Sequence, residues 1–332
     1  MAPSTTNTVG GDDILTSSYE HGTSMLPLGV LTKPLKTYLF GNPISHSMAP
    51  LLHNTLFEEH GVPWNYSLFE SLDDAAFLQL LKADNCIGSA VTMPHKINFM
   101  SHVDHLTEEG RIIGSINTVF IRLDAAGNKR YIGTNTDCIG VREAFLQNIP
   151  GVLEMSRGKP ALVIGGGGAC RSSVYAVWKW LGASKVYLIN RVRSEVDEVI
   201  AAFKAAGFMG ELLWIGSVEE AKALETPGCI VGTIPDYPPK AEGELVCRAI
   251  AEEFLGRPEK GAMLEMCYHP KPVTALYRLA EEAGWKLVGG TEAMVHQGIA
   301  QQILWKESPL EDFRLERAQK VVQAELETRW TH

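Results

Sequence analysis

The residues best suited to chemistry follow predicted strands, where a side chain can face a ligand. Lys96 lies in VTMPHK directly after an apolar strand, and Asp137 closes the segment TNTD after another. Oxidation of a secondary alcohol by hydride transfer needs a group that takes the hydroxyl proton, and a lysine with a lowered pKa can do so. Taken singly, however, Lys96 also fits a solvated surface lysine, and Asp137 fits an N-cap of the following helix.

A second group of polar side chains lies on a bend. Residues 41–50, GNPISHSMAP, hold Ser45 and Ser47 between the strand TYLF and a helix that begins near Ala49. Such a bend either binds a ligand or caps the helix, and residue types alone leave both interpretations open. Asn117 in SINT leaves the same choice, because its amide could satisfy local backbone groups.

The stretch ALVIGGGGACR places a glycine-rich loop between a strand and a helix. Read as GxGxxG, it has Cys170 in the third position, and this small residue still lets the helix approach the strand. Backbone amides at the start of that helix would bind a pyrophosphate, so the context favours a dinucleotide site over a flexible turn. No Gly-Lys-Ser/Thr follows, as a P-loop would require. The predicted cofactor-binding residues of the loop are Gly165, Gly166, Gly167, Gly168 and Ala169.

The next strand ends at Asn190 and Arg191, where an NAD enzyme often has an acidic residue on the ribose hydroxyls. Asn190 can still hydrogen-bond a ribose. Arg191 and Arg193 could receive a 2′-phosphate or stack on adenine, whereas Glu195 would repel a phosphate. These residues by themselves leave NAD and NADP both open.

The elements that position these side chains differ between the two halves of the chain. Before about residue 140, strands and helices alternate, and two strands flank AAGN as a predicted hairpin. Beyond Pro150 and Gly151, short apolar strands without alternation are separated by helices, which predicts a parallel sheet buried on both faces. The predicted fold class is α/β, with an N-terminal α/β domain and a C-terminal Rossmann-type doubly wound parallel sheet.

Composition excludes several classes of function. The 332 residues carry a net charge of −9 and no basic stripe, which argues against a nucleic-acid or membrane-surface role. No apolar run reaches the roughly 18 residues of a membrane helix. Six scattered cysteines and no secretory signal predict a cytoplasmic protein, and the histidines form no convincing metal set. Residues 1–32, rich in Ser, Thr and Gly, are predicted to be a disordered tail.

The motifs in order along the chain resemble the shikimate/quinate dehydrogenase family, and most of all its fungal quinate-using branch. They are GNPISHS, VTMPHK, SINT, TNTD, GGGGACR, NR, EMCYHPKPVTAL and GTEAMVHQG, between about Tyr38 and Trp305. The resemblance implies a substrate-binding catalytic domain of residues 33–140 plus about 291–332. It also implies a Rossmann dinucleotide-binding domain of residues 141–290, with the substrate in the cleft between the domains.

The same resemblance implies a site. Matched by motif, Lys96 and Asp137 are the catalytic pair. The implied substrate-binding residues are Ser45, Ser47, Thr92, Asn117, Tyr268 and Gln297. Asn190, Arg191 and Met294 join the glycine loop as implied cofactor-binding residues, with Met294 lining the nicotinamide pocket.

Two departures from the family pattern bear on function. The family usually has a second serine where this chain has Ala49, and NADP-using members usually have Thr and Arg where it has Val192 and Glu195. These features imply oxidation of quinate to 3-dehydroquinate with NAD in quinate catabolism, with some activity on shikimate. The alternatives are an NADP-dependent shikimate dehydrogenase and, less favoured, a non-catalytic sensor of these compounds. The expected partners are small molecules, not nucleic acid or membrane, and the expected state is a monomer or homodimer.

Overall fold

A computed structural model of the chain describes residues 11–26, 30–269, 271–313 and 315–330. They divide into two compact units. The first comprises the chain up to residue 106, residues 117–133 and the chain from residue 298, and the second comprises residues 107–116 and 134–297. Residues 107–116, 134–140 and 291–297 therefore belong to the second unit and not, as the family resemblance implied, to the catalytic domain.

The first unit is built on a six-stranded mixed sheet. Its strands are β1 (Lys36–Gly41), β2 (Asn65–Glu70), β3 (Cys86–Val91), β4 (His105–Leu106), β5 (Thr118–Leu123) and β6 (Lys129–Thr134). Their order is β2-β1-β3-β5-β6-β4. β1 is parallel to both β2 and β3, whereas β5 runs antiparallel to β3. β5 and β6 are neighbours joined through AAGN, as predicted for a hairpin.

The helices of the first half are short. They are α1 (Gly11–Ser18), α2 (Ala49–Glu59), α3 (Asp74–Leu81), α4 (Glu108–Ile113), α5 (Asp137–Asn148) and α6 (Val152–Ser156). Pro50 stands in the first turn of α2, where its fixed φ suits the helix and its missing N–H costs no bond. The Asp73 side chain accepts from the Ala76 amide and so begins α3.

A close approach inside the first unit explains one strand glycine. Gly88 in β3 has a φ of +137°, and a Cβ there would lie 2.5 Å from Trp305 Nε1. That indole is 1% exposed and donates to the Val119 carbonyl at 3.0 Å. Glycine is required because the large ring packs directly on the strand backbone.

The second unit is built on an all-parallel sheet. Its strands are β7 (Ala161–Ile164), β8 (Lys185–Ile189), β9 (Glu211–Trp214), β10 (Cys229–Gly232), β11 (Ala262–Glu265) and β12 (Lys286–Gly289). The order is β12-β11-β10-β7-β8-β9, and every residue of β7, β10 and β11 is buried. This is the doubly wound order, with its reversal between β7 and β10. The predicted α/β fold class with a Rossmann-type sheet is confirmed.

The remaining helices follow these strands. They are α7 (Gly168–Lys179), α8 (Arg193–Ala205), α9 (Val218–Lys222), α10 (Glu242–Leu255), α11 (Ala275–Glu282), α12 (Gly290–Lys306) and α13 (Leu315–Trp330). Tyr187, Phe254 and Trp285 belong to the buried cluster on one side of the second sheet. In the part of the chain that the structure describes, no helix combines the length and apolar character needed to cross a membrane.

The predicted disordered tail is wrong for residues 30–32, which form a 3-10 helix, and for residues 11–26. This segment forms α1, continues into the 3-10 helix Tyr19–His21, and makes a β-bridge between Thr23 and Leu123. Residues 1–10 and 27–29 lie outside the described residues. The composition of residues 11–26 gave a wrong prediction of disorder, because the segment is ordered by long-range contacts and not by its own apolar content.

Those contacts centre on a buried ion pair. Arg122 Nη1 lies 3.3 Å from Glu307 Oε1, and the two side chains are 1% and 5% exposed. Arg122 Nη2 donates to Ser18 Oγ at 2.6 Å, while Glu307 accepts from the Tyr19 hydroxyl and the Met25 amide. The pair therefore attaches the N-terminal segment to the first unit.

Removing the positive charge of Arg122 should destabilise the folded protein. Arg122→Met leaves the Glu307 carboxylate buried without its cation, so we expect a loss of about 3 kcal/mol in the free energy of unfolding, measured with urea. Arg130→Met is the matched control, because Arg130 is 41% exposed and lies 3.8 Å from Asp124, so its loss should stay below about 1 kcal/mol. Equal losses in the two variants would contradict a structural role for the buried pair.

Candidate active site

The bends after β1 and β3 lie side by side, because these strands are parallel neighbours. They carry Ser45, Ser47, Thr92 and Lys96. The Asn42 amide donates to the Met93 carbonyl at 3.0 Å, which joins the two bends directly. A Cβ on Gly41 would lie 2.4 Å from Thr92 Cγ2, so only glycine allows this approach.

The GNPISHS bend is compatible with both helix capping and ligand binding, the two interpretations that its residue types left open. The Ser47 hydroxyl oxygen accepts from the Ala49 amide at 3.2 Å, a local contact at the start of α2. A hydroxyl that accepts in this way still has a proton to donate to a ligand. The bend is braced from outside, since Glu70 accepts from the Ile44 amide and Arg329 donates to the His46 carbonyl.

His95 braces the turn that carries Lys96. Its ring is 5% exposed and stacks on Phe40 with centroids 3.9 Å apart. Nδ1 lies 2.9 Å from Asp74 Oδ1, and Nε2 lies 3.1 Å from the Ser71 carbonyl oxygen. Contacts on both ring nitrogens and on the ring face fix the residue before Lys96, which limits where the lysine side chain can reach.

Asn117 immediately precedes β5 and lies beside the end of β3, where its carbonyl accepts from the Val91 amide. The Thr118 hydroxyl donates to Asn117 Oδ1 at 2.8 Å, and Gln301 Nε2 donates to Thr118 Oγ1 at 2.9 Å. Gln301 Oε1 in turn lies 3.1 Å from His53 Nε2. Sequence reasoning missed Gln301 and His53, since they lie on two helices that are distant in the chain.

The His53 ring is fully buried and neutral. Burial lowers its pKa to about 3, with the Gln301 contact opposing part of that shift. Gln302 Nε2 donates to Nδ1 at 2.9 Å, which leaves Nε2 as the protonated nitrogen that donates to Gln301. The chain of hydrogen bonds that ends at Asn117 therefore has one defined direction.

In the second unit, Asp137 is the first residue of α5. The N-cap position considered for Asp137 is held by Thr136, and Asn135 Oδ1 accepts from the Cys138 amide in the first turn of the helix at 3.2 Å. Thr136 Oγ1 donates to Gln297 Oε1 at 3.3 Å, so Gln297 lies beside the start of α5. A Cβ on Gly140 would lie 2.4 Å from a carbonyl oxygen of α12, which shows how closely α5 and α12 pack.

A cavity of about 350 Å³ opens beside the glycine loop. Gly165, Gly166 and Gly167 line it together with residues at the ends of β8 and β10. This is the crevice at the carboxyl ends of the strands where doubly wound sheets bind ligands. Gly165 has a φ of +134°, and a Cβ there would lie 2.2 Å from Thr233 Oγ1.

The loop fits a dinucleotide. No atom lies within 4 Å of the position that a Cβ of Gly167 would occupy, so a phosphate can approach the backbone there. Gly168 and Ala169 begin α7, which supplies unpaired amides and a positive dipole end. Cys170 is 1% exposed, as expected of a small residue between helix and strand.

Acidic side chains surround the far end of the same cavity. Asn190 Nδ2 donates to Glu195 Oε2 at 2.6 Å, and Arg191 Nη1 donates to Glu244 Oε1 at 2.7 Å. The other oxygen of Glu244 accepts from the amides of Lys240 and Ala241. These amides and the arginine lower the pKa of Glu244 to about 2. Sequence reasoning missed Glu244, which is 53 residues from Arg191.

Glu265, the last residue of β11, was also missed. Its carboxyl group is 1% exposed, Oε1 accepts from the Cys267 amide at 3.0 Å, and Oε2 has no hydrogen-bond partner among the described residues. Burial raises its pKa to about 8. The next turn carries Tyr268, a predicted substrate-binding residue. The Glu265 carboxyl group, through its bond to the Cys267 amide, therefore anchors the segment that holds Tyr268. In the sequence, the acidic residue inside the apolar run AMLEMC was the signal that could have identified Glu265.

The structure thus gathers Ser45, Ser47, Thr92, Lys96 and Asn117 at one edge of the first sheet. In the second unit, Asn190 and Arg191 line the cavity with Gly165–Gly167, whereas Met294 lies on α12 outside that lining. Across the described ranges, no three His, Cys, Asp or Glu side chains gather as a metal site.

The amino-acid sequence is similar to those of known dehydrogenases. Residues 39–119 match the family model of the shikimate dehydrogenase substrate binding domain. The chain is 40% identical to a quinate dehydrogenase of Emericella nidulans, over 81% of this chain and 86% of that protein. It is 33% identical to the pentafunctional AROM polypeptide of Candida glabrata over 84% of this chain, and spans only 17% of that larger protein.

Solved structures share the fold. A quinate dehydrogenase from Corynebacterium glutamicum in complex with NAD superposes with a TM-score of 0.71 at 17% identity, covering 88% of this chain and 100% of that one. At this identity the likeness concerns the fold.

The buried carboxyl group of Glu265 should make stability depend on pH. Its folded pKa, about 8, lies above the ordinary value of roughly 4.3, so the folded state retains a proton that the unfolded state releases. Stability is therefore fully present below about pH 4 and is lost as pH rises towards 8. Glu265→Gln keeps an oxygen for the Cys267 amide and should remove a loss on the order of 3 kcal/mol between pH 5 and 9.

Urea unfolding across this pH range measures the difference. Glu282→Gln, an exposed glutamate on α11, is the control and should follow the wild-type curve. A Glu265→Gln curve parallel to wild type would show that the buried carboxyl group does not retain its proton.

Proposed function

This chain belongs to the shikimate/quinate dehydrogenase family, as its motifs predicted, and from that premise we propose that it oxidises quinate to 3-dehydroquinate with NAD. It also oxidises shikimate, less efficiently. The observation that carries the proposal is the set of polar side chains at the ends of β1 and β3, among them Ser47, Thr92 and Lys96. A cyclic polyol acid offers the carboxylate and hydroxyls that such a set recognises.

The reaction separates a hydride from a proton. When bound, NAD accepts the hydride from the carbon that carries the C3 hydroxyl. Lys96 takes the hydroxyl proton as general base, and Asp137 is the acidic member of the catalytic pair. Support for Lys96 comes from the braced turn after β3. Support for Asp137 comes from its position as the first residue of α5, next to Thr136, whose hydroxyl donates to Gln297, another predicted site residue.

The substrate is held by hydroxyl and amide side chains. Ser47 and Tyr268 bind the carboxylate, with Ser45 on the same bend as Ser47. Thr92 and Asn117 bind ring hydroxyls, as does Gln297. The bracing of Asn117 by the buried hydrogen bonds from Gln301 supports this assignment, because a fixed amide discriminates between hydroxyl positions better than a mobile one.

The cofactor is NAD. The glycine loop and the start of α7 bind the pyrophosphate, and Asn190 binds the adenosine ribose. Glu195 lies within 2.6 Å of Asn190 and can accept from a ribose hydroxyl, whereas a 2′-phosphate there would bring two negative groups together. Val192 offers no side-chain donor. Met294 lines the nicotinamide side, a role that rests on the family motif.

One observation favours a second candidate, an NADP-dependent shikimate dehydrogenase. Arg191 lines the cavity at the position where NADP enzymes often meet the 2′-phosphate. The cellular setting belongs to the proposal too: a cytoplasmic enzyme of quinate catabolism, monomeric or homodimeric. Six cysteines that form no disulfide suit a reducing compartment.

The deciding experiment compares four pairs on the purified protein: quinate or shikimate, each with NAD or NADP. We expect kcat/KM to be highest for quinate with NAD. Higher values for shikimate with NADP would establish the second candidate instead, and no turnover with any pair would favour a sensor.

Replacing Lys96 tests the base. Lys96→Met keeps the length of the side chain but cannot accept a proton, so we expect kcat to fall by about a hundredfold or more with the fold intact. Lys82→Met, at an exposed lysine after α3, should keep normal turnover. Near-normal kcat in a folded Lys96→Met protein would remove Lys96 from the mechanism.

Replacing Ala49 tests the substrate preference. Quinate has a tertiary hydroxyl on the carbon that bears the carboxylate, and the family resemblance implies that a serine at position 49 would lie beside that carbon. Ala49 is 8% exposed, packs at the edge of the apolar core of the first unit and offers no donor. Ala49→Ser adds volume and a donor, so the quinate-to-shikimate ratio of kcat/KM should move towards shikimate by about tenfold.

Assays of both substrates with NAD measure this ratio. Ala75→Ser, at an exposed alanine of α3, should leave it unchanged. A ratio that stays constant or rises in Ala49→Ser would place the preference elsewhere in the pocket.

A further inference from the structure

We infer that Glu244 sets the cofactor preference by holding Arg191 in an ion pair, which withdraws this arginine from the 2′-phosphate of NADP. The inference rests on the proposed dinucleotide site and identifies a specificity-determining residue within it. Both side chains line the cavity beside the glycine loop. Their contact, Arg191 Nη1 to Glu244 Oε1, is 2.7 Å.

The Glu244 carboxylate is held in place from several sides. It is the third residue of α10, where the helix dipole favours a negative charge. Its Oε2 accepts from the Lys240 amide at 2.9 Å and from the Ala241 amide at 3.1 Å. A carboxylate with these amides on one oxygen cannot rotate away without losing them. Arg191 must therefore break a fixed pair before it can bind another anion.

The other arginines near the cavity also have carboxylate partners. Arg193 stacks on Trp214 at 4.3 Å and lies 3.4 Å from Asp197. Arg248, which lines the cavity, lies 2.9 Å from Glu252. Both of these arginines therefore already have a carboxylate partner four residues further along their own helix.

The charge balance then decides between the cofactors. The charges of Arg191 and Glu244 cancel, and Glu195 adds a negative charge beside Asn190. A 2′-phosphate carries close to two negative charges and meets a neutral pair with a carboxylate next to it. A 2′-hydroxyl is neutral and can donate to that carboxylate. Glu244 thus shifts the preference of this site from NADP towards NAD.

The test uses binding as well as turnover. Calorimetry measures Kd for AMP and for 2′,5′-ADP, which differ only in the 2′-phosphate, and assays measure kcat/KM for NAD and NADP. Glu244→Gln keeps an oxygen for the two amides and removes the charge. We expect it to tighten 2′,5′-ADP relative to AMP by about tenfold, and to raise the NADP-to-NAD ratio of kcat/KM similarly. Glu244→Ala should shift both ratios in the same direction.

Two further variants test whether Arg191 is the source of the tighter 2′,5′-ADP binding and of the higher NADP-to-NAD ratio. The double variant Glu244→Gln with Arg191→Met should show neither change, because the arginine released from Glu244 is expected to bind the 2′-phosphate. Glu253→Gln on the same helix, whose glutamate lies 3.6 Å from Arg257, should leave both ratios at the wild-type value.

The outcomes separate the two claims. If AMP binds but the ratios do not move in Glu244→Gln or Glu244→Ala, the inference about Glu244 is wrong and the dinucleotide site stands. If the gain persists without Arg191, the ion pair is not its cause, and the inference is again wrong. If neither nucleotide binds the wild-type protein, the proposed dinucleotide site fails, and the inference fails with it.

Discussion

Parallel pairing of β1 and β3 is the constraint on which the candidate active site depends. Two parallel neighbours end at the same edge, so the bends that follow them must lie together. Gly41 allows their backbones to touch, and the hydrogen bond from the Asn42 amide to the Met93 carbonyl joins them. The antiparallel strand β5 begins at this edge and adds Asn117. Residues from distant segments of the chain thereby reach one place.

Three titratable groups in the interior illustrate different ways to bury a polar side chain. His53 stays neutral and uses both ring nitrogens in hydrogen bonds. Arg122 stays charged and is paired with Glu307. Glu265 forms no salt bridge with the residues that the structure describes, and burial raises its pKa to about 8, so the carboxyl group holds a proton at neutral pH. In each case the cost of desolvating a charge sets the outcome, and the available partners decide which solution is used.

The second sheet brings an anion-binding and an anion-repelling region into one cavity. At the end of β7, glycine backbone and the start of α7 offer amides and a positive dipole end. At the end of β8, Glu195 and Glu244 surround Asn190 and Arg191. Such a gradient along one crevice suits a ligand with a pyrophosphate at one end and an uncharged ribose edge at the other.

Local sequence patterns were enough to predict the order of strands and helices, the doubly wound second half, the glycine loop and the motifs that lie on bends. These follow from local periodicity, from glycine and proline positions, and from the rule that parallel strands need crossovers. Three features could be seen only in the folded structure: Arg122 binds Ser18 of the N-terminal segment, Asn135 accepts from the first turn of α5, and Glu244 pairs with Arg191. Each depends on which partner a side chain meets in space. Local pattern does not encode that choice, because the energy of a buried or paired charge depends on groups brought close by the sheet topology.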